Sequence, residues 1–119
     1  MGATTFLRSA NGKSPEDAYE NAYETAESET GHRDGYSGDL TSKNGFVFAE
    51  TPKGVQLSVW IKALRDDDLP KSLLMHSEEF QRQQEIYDDK WGPALSFEVV
   101  ENVQKGTLKR YIFVGSSPE

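Results

Sequence analysis

The sequence predicts an α+β fold: a mostly antiparallel sheet of four to five strands with two helices on one face. Two observations predict it. Apolar residues recur either at every second position or at helical spacing, and turns rich in Gly, Pro or Asn separate these segments. Most neighbouring strands are joined by short turns, which favours hairpins and therefore antiparallel pairing. The expected order is β-α-β-β-α-β-β, in a single domain spanning residues 1–119.

The first strand is expected at Thr4–Ser9 and is followed by a well-marked helix start. Ser14 can cap the helix, Pro15 suits its first position, and acidic residues fill the first turn. The apolar face of this helix consists of Ala18, Tyr19, Ala22, Tyr23 and Ala26. Gly31 can end the helix by adopting a left-handed conformation.

A hairpin is predicted next, from Gly45–Glu50 and Val55–Leu64 with a turn between them. In the second of these segments alternate residues are apolar: Val55, Leu57, Val59, Ile61 and Ala63. Such alternation is typical of a strand with one buried and one partly wet face. Trp60 falls on the wet face, which is unusual for so large an apolar side chain.

A second helical region is predicted between an acidic run and a Gly-Pro pair. Asp66–Asp68 offers cap residues, and Gly92-Pro93 ends the region. Its apolar stripe consists of Leu69, Leu73, His76, Phe80, Tyr87 and Trp91. Ser77-Glu78-Glu79 could instead start a new helix and split the region near His76. A final hairpin is expected from Ala94–Glu101 and Thr107–Gly115.

Composition excludes several kinds of protein. The chain has no cysteine, so disulfides, thiolate metal sites and cysteine nucleophiles are ruled out. No apolar run approaches the roughly 20 residues that a membrane-spanning helix needs. The N-terminus lacks the pattern of a signal peptide, so the cytoplasm of a host cell is the expected location. No cofactor is expected.

The acidic residues are unevenly distributed. Six lie in Ser14–Gly31, which has no basic residue, and eight lie in Arg65–Asp89 beside three basic residues. The two segments therefore carry −6 and −5, which leaves +4 on the remainder because the chain totals −7. If both helices cover one side of a sheet, that side creates a negative field that repels nucleic acid and attracts basic protein surfaces.

The first helix carries its acids as one stripe. The stripe consists of Glu16, Glu20, Glu24 and Glu27, at steps of four, four and three residues. One interpretation is a solvated outer face whose first-turn acids are stabilised by the helix dipole. The other is a surface that engages a basic groove and mimics a phosphate backbone. Under the second interpretation we expect these four residues to contact a partner, with Asp88 and Asp89 as further contacts.

The Gly-rich loop 31–43 offers an alternative site. His32 and Asp34 lie there beside Tyr36 and Asp39, and a histidine with a carboxylate can perform acid–base chemistry. His32 can equally act as a cation at a helix C-terminus. The loop matches neither a nucleophile elbow nor a phosphate-binding loop. We therefore assign no catalytic residue, and keep an enzyme or small-molecule-binding protein centred on this loop as an alternative.

Other clusters are weaker candidates. Asp66–Asp68 lacks the Gly and distal Glu of a calcium loop, and His76 lies on an apolar stripe, so no metal site is expected. Lys105, Lys109 and Arg110 lie near aromatic residues, but the cluster is too small to predict nucleic-acid binding in an acidic chain. Trp60, Tyr111 and Phe113 could form an uncovered sheet face, which would make the protein a homo-oligomeric structural component.

Three short segments carry a resemblance that runs through most of the chain. They are Gly31-His32 with Gly35-Tyr36-Ser37-Gly38-Asp39-Leu40, then Lys90-Trp91-Gly92-Pro93-Ala94, then Tyr111-Ile112-Phe113-Val114-Gly115. With them the chain resembles a group of small uncharacterised proteins of bacteriophages, prophages and bacterial mobile regions. The resemblance implies no activity, but it implies a context. Small, acidic, cysteine-free proteins of this type often bind and inhibit host proteins, including nucleic-acid-guided defence enzymes.

Charge and resemblance together predict a non-enzymatic binding protein. We expect its acidic helical face to dock on a basic, nucleic-acid-binding surface of a host protein, as an anti-CRISPR-like inhibitor would. We expect no direct contact with nucleic acid or membrane. Self-association through the aromatic face is compatible with this function.

Overall fold

The structure, a computed structural model, describes residues 3–30, 40, 45–99 and 109–118 of the 119-residue chain. Its elements are β1 (Ala3–Gly12), α1 (Pro15–Thr30), β2 (Phe46–Phe48), α2 (Leu57–Asp66), a 3₁₀ helix (Lys71–His76), α3 (Ser77–Asp88), β3 (Ala94–Val99) and β4 (Lys109–Pro118). Within these ranges the fold is α+β, with one four-stranded sheet and three α-helices. The predicted fold class is confirmed.

The sheet is mixed and has the strand order β1-β4-β3-β2. β4 pairs antiparallel with β1, from Ala3 opposite Pro118 to Gly12 opposite Lys109, and it also pairs antiparallel with β3. β2 pairs parallel with β3. The antiparallel pairing predicted for the last two strands is therefore confirmed, while the turn between them lies outside the described residues. The predicted element order is wrong, because the chain crosses from β2 to β3 through helices.

The predicted strand at Val55–Leu64 is the main error, since this segment forms α2. The same residues that alternate also fit a helical face, because Leu57, Ile61 and Leu64 lie at steps of four and three. Trp60 lies beside them on that face and is fully buried. Its unexpected place on the wet side of a strand was the sign that the segment is a helix.

α1 begins where the sequence predicts. The Ser14 hydroxyl oxygen accepts a hydrogen bond from the Asp17 amide at 3.2 Å, and the Asp17 carboxylate accepts one from the Lys13 amide at 3.0 Å. The first bond satisfies an amide that a helix start leaves without a partner, and the second ties the preceding residue to the first turn. The helix then packs on the sheet through Ala18, Ala22 and Ala26, which are all buried.

The helices lie on opposite faces of the sheet, so the prediction of two helices on one face is wrong. Side chains alternate along β4: Tyr111 and Phe113 pack in a cluster with α1, whereas Ile112 and Val114 pack with α2 and α3. Leu40 belongs to the α1 cluster. A three-helix chain with a sheet apolar on both faces buries more surface when both faces are covered.

The three proposed oligomer-interface residues are buried within the protomer. Trp60 and Phe113 are fully buried, and Tyr111 is 3% exposed. The Trp60 indole donates a hydrogen bond to the Gln83 side-chain oxygen at 2.8 Å, and the Gln83 amide nitrogen donates to the Glu50 carbonyl oxygen at 3.2 Å. The expectation that these aromatic residues form an uncovered face is therefore wrong, because helices cover both faces of the sheet.

The acidic run Asp66–Asp68 ends a helix and does not start one. Asp67 caps the C-terminus of α2 in the left-handed conformation, with φ of 52°. The second helical region begins after it and divides at His76, where the 3₁₀ helix gives way to α3. The alternative of a new helix that splits the region near His76 is thus confirmed, but His76 and not Ser77 occupies the cap position, and no side chain caps the helix.

Candidate partner-binding surfaces

The outer surface of α1 presents the predicted acidic stripe. Glu16, Glu20 and Glu24 are exposed, and Glu27 is half-buried. Their exposure follows from the alanine face, because residues on the opposite side of the same helix point away from the sheet. Four residues of helix rise about 6 Å, so the three exposed carboxylates form a row along roughly 12 Å of the helix.

No ion pair joins Glu16, Glu20 or Glu24 to another residue in the described part of the chain. The ion pairs found there lie elsewhere: Arg65 with Asp66, Arg82 with Glu79, and Lys109 with Glu98. Like charges at these helical spacings repel one another, at a cost of a few tenths of a kcal/mol per pair. Within the described ranges Glu16, Glu20 and Glu24 therefore form a row of negative charge without an ion-pair partner.

A shallow depression borders this stripe. Tyr19, Glu20, Tyr23 and Glu24 line it, with a volume of about 490 Å³. The Tyr19 ring lies 5.1 Å from the Phe46 ring and 5.5 Å from the Phe113 ring, measured between centroids, so the core holds it in place. Burial raises the pKa of Tyr19 above 10.0, and the neighbouring Tyr23 raises it further. The depression thus combines aromatic rings with carboxylates.

Asp88 and Asp89 do not share a surface with the α1 stripe. Both are exposed, but α3 packs on the other face of the sheet. The Asp88 carboxylate accepts a hydrogen bond from the Gln84 amide nitrogen at 2.9 Å, and the Asp89 carboxylate accepts one from the Trp91 backbone amide at 3.0 Å. The two acidic segments therefore make separate negative surfaces, and the premise that both cover one side of the sheet is wrong.

A groove lies between the 3₁₀ helix and α3. Its floor is apolar and its rim is acidic, and its volume is about 420 Å³. The sequence analysis does not predict this groove, because helical spacing alone does not separate buried residues of an apolar stripe from those that line a groove. One signal was available: Leu74 and Met75 are apolar but fall outside that stripe, and they are 56% and 80% exposed.

The alternative site in the Gly-rich loop falls on His32, Asp34, Tyr36 and Asp39, which lie outside the described residues. His76, the other histidine, is half-buried with its ring centroid 6.5 Å from that of Trp60. In the described ranges, no three residues of the types His, Cys, Asp or Glu are grouped so as to hold a metal ion. Every helix in those ranges is too short or too polar to cross a lipid bilayer.

The chain matches no protein-family model, no curated protein and no solved structure.

Proposed function

We propose that this chain is a non-enzymatic binding protein of phage or mobile-element type. Its α1 helix docks on a basic, nucleic-acid-binding surface of a host protein and blocks that surface, as an anti-CRISPR-like inhibitor would. The observation that carries the proposal is the row of Glu16, Glu20 and Glu24, which is exposed and forms no ion pair with another described residue.

Electrostatics explain how such a row selects a partner. A row of like charges raises the local concentration of oppositely charged surfaces and accelerates association. It also excludes nucleic acid, whose phosphates carry the same sign as the carboxylates. A groove lined with Lys or Arg for a nucleic-acid strand would accept the carboxylates in place of phosphates.

The neighbouring tyrosines add specificity for arginine. A guanidinium group can stack on an aromatic face while its N–H groups donate to a carboxylate. The depression lined by Tyr19, Glu20, Tyr23 and Glu24 places both kinds of group together. We therefore expect an arginine of the partner to enter this depression.

The helix is pre-organised for docking. Its start is fixed by the Ser14 and Asp17 hydrogen bonds, and its inner face is fixed by three buried alanines. Little further ordering is needed when the partner binds, so less of the interaction energy is lost to conformational entropy.

The test is a pull-down from bacterial lysate at low and at high salt, with bound proteins identified by mass spectrometry. The critical variant is Glu20→Lys/Glu24→Lys, which reverses the centre of the stripe. The matched control is Glu50→Lys/Asp66→Lys, because both of its residues are exposed, neither is on α1, and the net charge changes equally. Circular dichroism checks that both variants remain folded.

The expected result is a specific partner with a nucleic-acid-binding surface that is captured at low salt and lost at high salt. The α1 variant loses this partner, the control retains it, and the wild-type protein inhibits the partner's binding to nucleic acid. If the α1 variant captures the partner as well as the control does, the docking surface is not α1. If no partner is captured at either salt, the binding function itself is rejected.

A further inference from the structure

The groove between the 3₁₀ helix and α3 combines an apolar floor with an acidic rim. We propose that it takes a basic amphipathic segment of a protein partner, with an apolar side chain inserted and Lys or Arg side chains against the rim. This goes beyond docking by α1, because the groove lies on the opposite side of the sheet and shares no residue with the acidic stripe.

The floor of the groove supplies the apolar contact. Leu69, Leu74 and Phe80 line it. Phe80 is anchored in the core, whereas Leu74 is 56% exposed and its neighbour Met75 is 80% exposed. Contiguous exposed apolar side chains with a polar border are typical of sites that bind another protein. Such a floor favours an inserted aliphatic or aromatic side chain.

The rim determines the charge of the ligand. Asp67, Glu85 and Asp88 line the groove and are exposed, and its described lining includes no Lys or Arg. The Asp88 carboxylate is also oriented by a hydrogen bond from Gln84. An apolar floor inside an acidic rim is complementary to an apolar side chain flanked by cations.

Gln84 is a buried polar residue in the lining of this groove, and it holds part of the acidic rim in place. It lines the groove, is 8% exposed, and its side-chain oxygen has no hydrogen-bond donor among the described residues. Its amide nitrogen donates to the Leu64 carbonyl oxygen and to the Asp88 carboxylate, both at 2.9 Å. Because both partners of the nitrogen are acceptors, rotating the amide would not resolve the conflict. The two bonds of the nitrogen fix the side chain of Gln84 and with it the position of the Asp88 carboxylate on the rim.

The test uses a fluorescent peptide of Leu and Lys at helical spacing, roughly 14 residues long so that it can form about four turns. The matched probe has Glu in place of each Lys. Binding to the full-length chain is followed by fluorescence anisotropy. We expect the Lys peptide to bind and the Glu peptide not to bind, because the rim repels negative charge.

Two leucines of equal exposure allow a matched pair of variants. Leu74→Lys places a cation and a polar chain in the groove, whereas Leu7→Lys makes the same change on β1, where Leu7 is 57% exposed. We expect the first to weaken binding of the Lys peptide by about tenfold or more, as for a central interface residue, and the second to leave it unchanged. Glu85→Lys should also weaken binding. Glu20→Lys/Glu24→Lys should not, which separates this site from α1.

Several results would overturn the proposal. If the Glu peptide binds as tightly as the Lys peptide, the rim does not determine the charge of the ligand. If Leu74→Lys and Leu7→Lys lose the same binding affinity for the Lys peptide, the groove is not the site. Loss of binding in Glu20→Lys/Glu24→Lys alone would place the peptide on α1. Sedimentation that shows a wild-type dimer dissociated by Leu74→Lys would assign the groove to a second copy of this chain.

Discussion

The two sides of the sheet are packed in opposite ways. On one side, α1 contacts the sheet through Ala18, Ala22 and Ala26. On the other side, α2 and α3 contribute large side chains, among them Trp60 and Phe80. The first side keeps its acids in an uninterrupted row on the solvent surface. The second leaves apolar side chains at its border, at Leu74 and Met75.

The difference shows that the size of the packed side chains determines the shape of the outer surface. Alanines allow a close approach: a Cβ atom added at Gly12 would lie 2.8 Å from the Ala18 Cα. Close packing leaves only the shallow depression at Tyr19 and Tyr23, so recognition by α1 depends on charge and on these tyrosines. Large side chains that meet from three helical segments fit less closely, and a groove forms between the 3₁₀ helix and α3.

Removing the largest side chain of the second core should have the greatest effect on stability. Trp60→Ala should lower the free energy of unfolding by about 3–5 kcal/mol, because it creates a cavity and also removes the hydrogen-bond donor to Gln83. Urea denaturation measures the change. Trp91→Ala is the control, since Trp91 is 54% exposed and lies outside the core clusters, and it should cost far less. Equal losses would mean that α2 does not hold Trp60 in the core.

Enlarging the alanine contact should have an intermediate effect. Ala22→Leu should destabilise the fold by about 1–3 kcal/mol, because α1 has no space between itself and the sheet for a longer side chain. Thr25→Leu is the control on the exposed side of the same helix, and it should be neutral or slightly stabilising because leucine favours helices. Urea denaturation of both variants measures the change in the free energy of unfolding. A neutral Ala22→Leu would show that α1 packs loosely.

Relieving the charge row should have the smallest effect, and its sign should be positive. Glu20→Lys converts two repulsive pairs with Glu16 and Glu24 into attractive ones, which should raise the free energy of unfolding by about 0.5–1 kcal/mol. The gain should shrink in 1 M NaCl, and thermal unfolding at two salt concentrations measures it. A stability loss would indicate that Glu20 already has a stabilising partner. A gain in stability together with a loss of partner binding would mean that the row is kept for recognition.

The comparison also explains which parts the sequence could predict. The start of α1 and its outer acids depend on neighbours within one helical turn, so the pattern Ser14-Pro15-Glu16-Asp17 is sufficient to predict them. The segment Val55–Leu64 fits both periodicities over ten residues, and only the burial of Trp60 against α3 decides between them. Local sequence patterns do not predict such contacts between distant segments.

The burial of the two glutamines of α3, one of which lines the groove, could not be predicted for a related reason. Gln83 and Gln84 are polar, yet both are buried, because each finds backbone or indole partners on other segments. Nothing in the type or spacing of these glutamines indicates that. The assignment of helices to opposite faces likewise depends on the parallel pairing of β2 with β3, which joins residues nearly fifty positions apart.

β4 has a consequence for how this molecule can change. Tyr111 and Phe113 face α1, whereas Ile112 and Val114 face α2 and α3. This strand therefore contributes side chains to both cores. A single inserted residue would turn aromatic rings towards α3 and aliphatic chains towards α1, and both sides would be mispacked at once. Neither side can therefore drift in evolution by insertion within this strand, and new partners must be acquired by exchanging side chains on the outer helices.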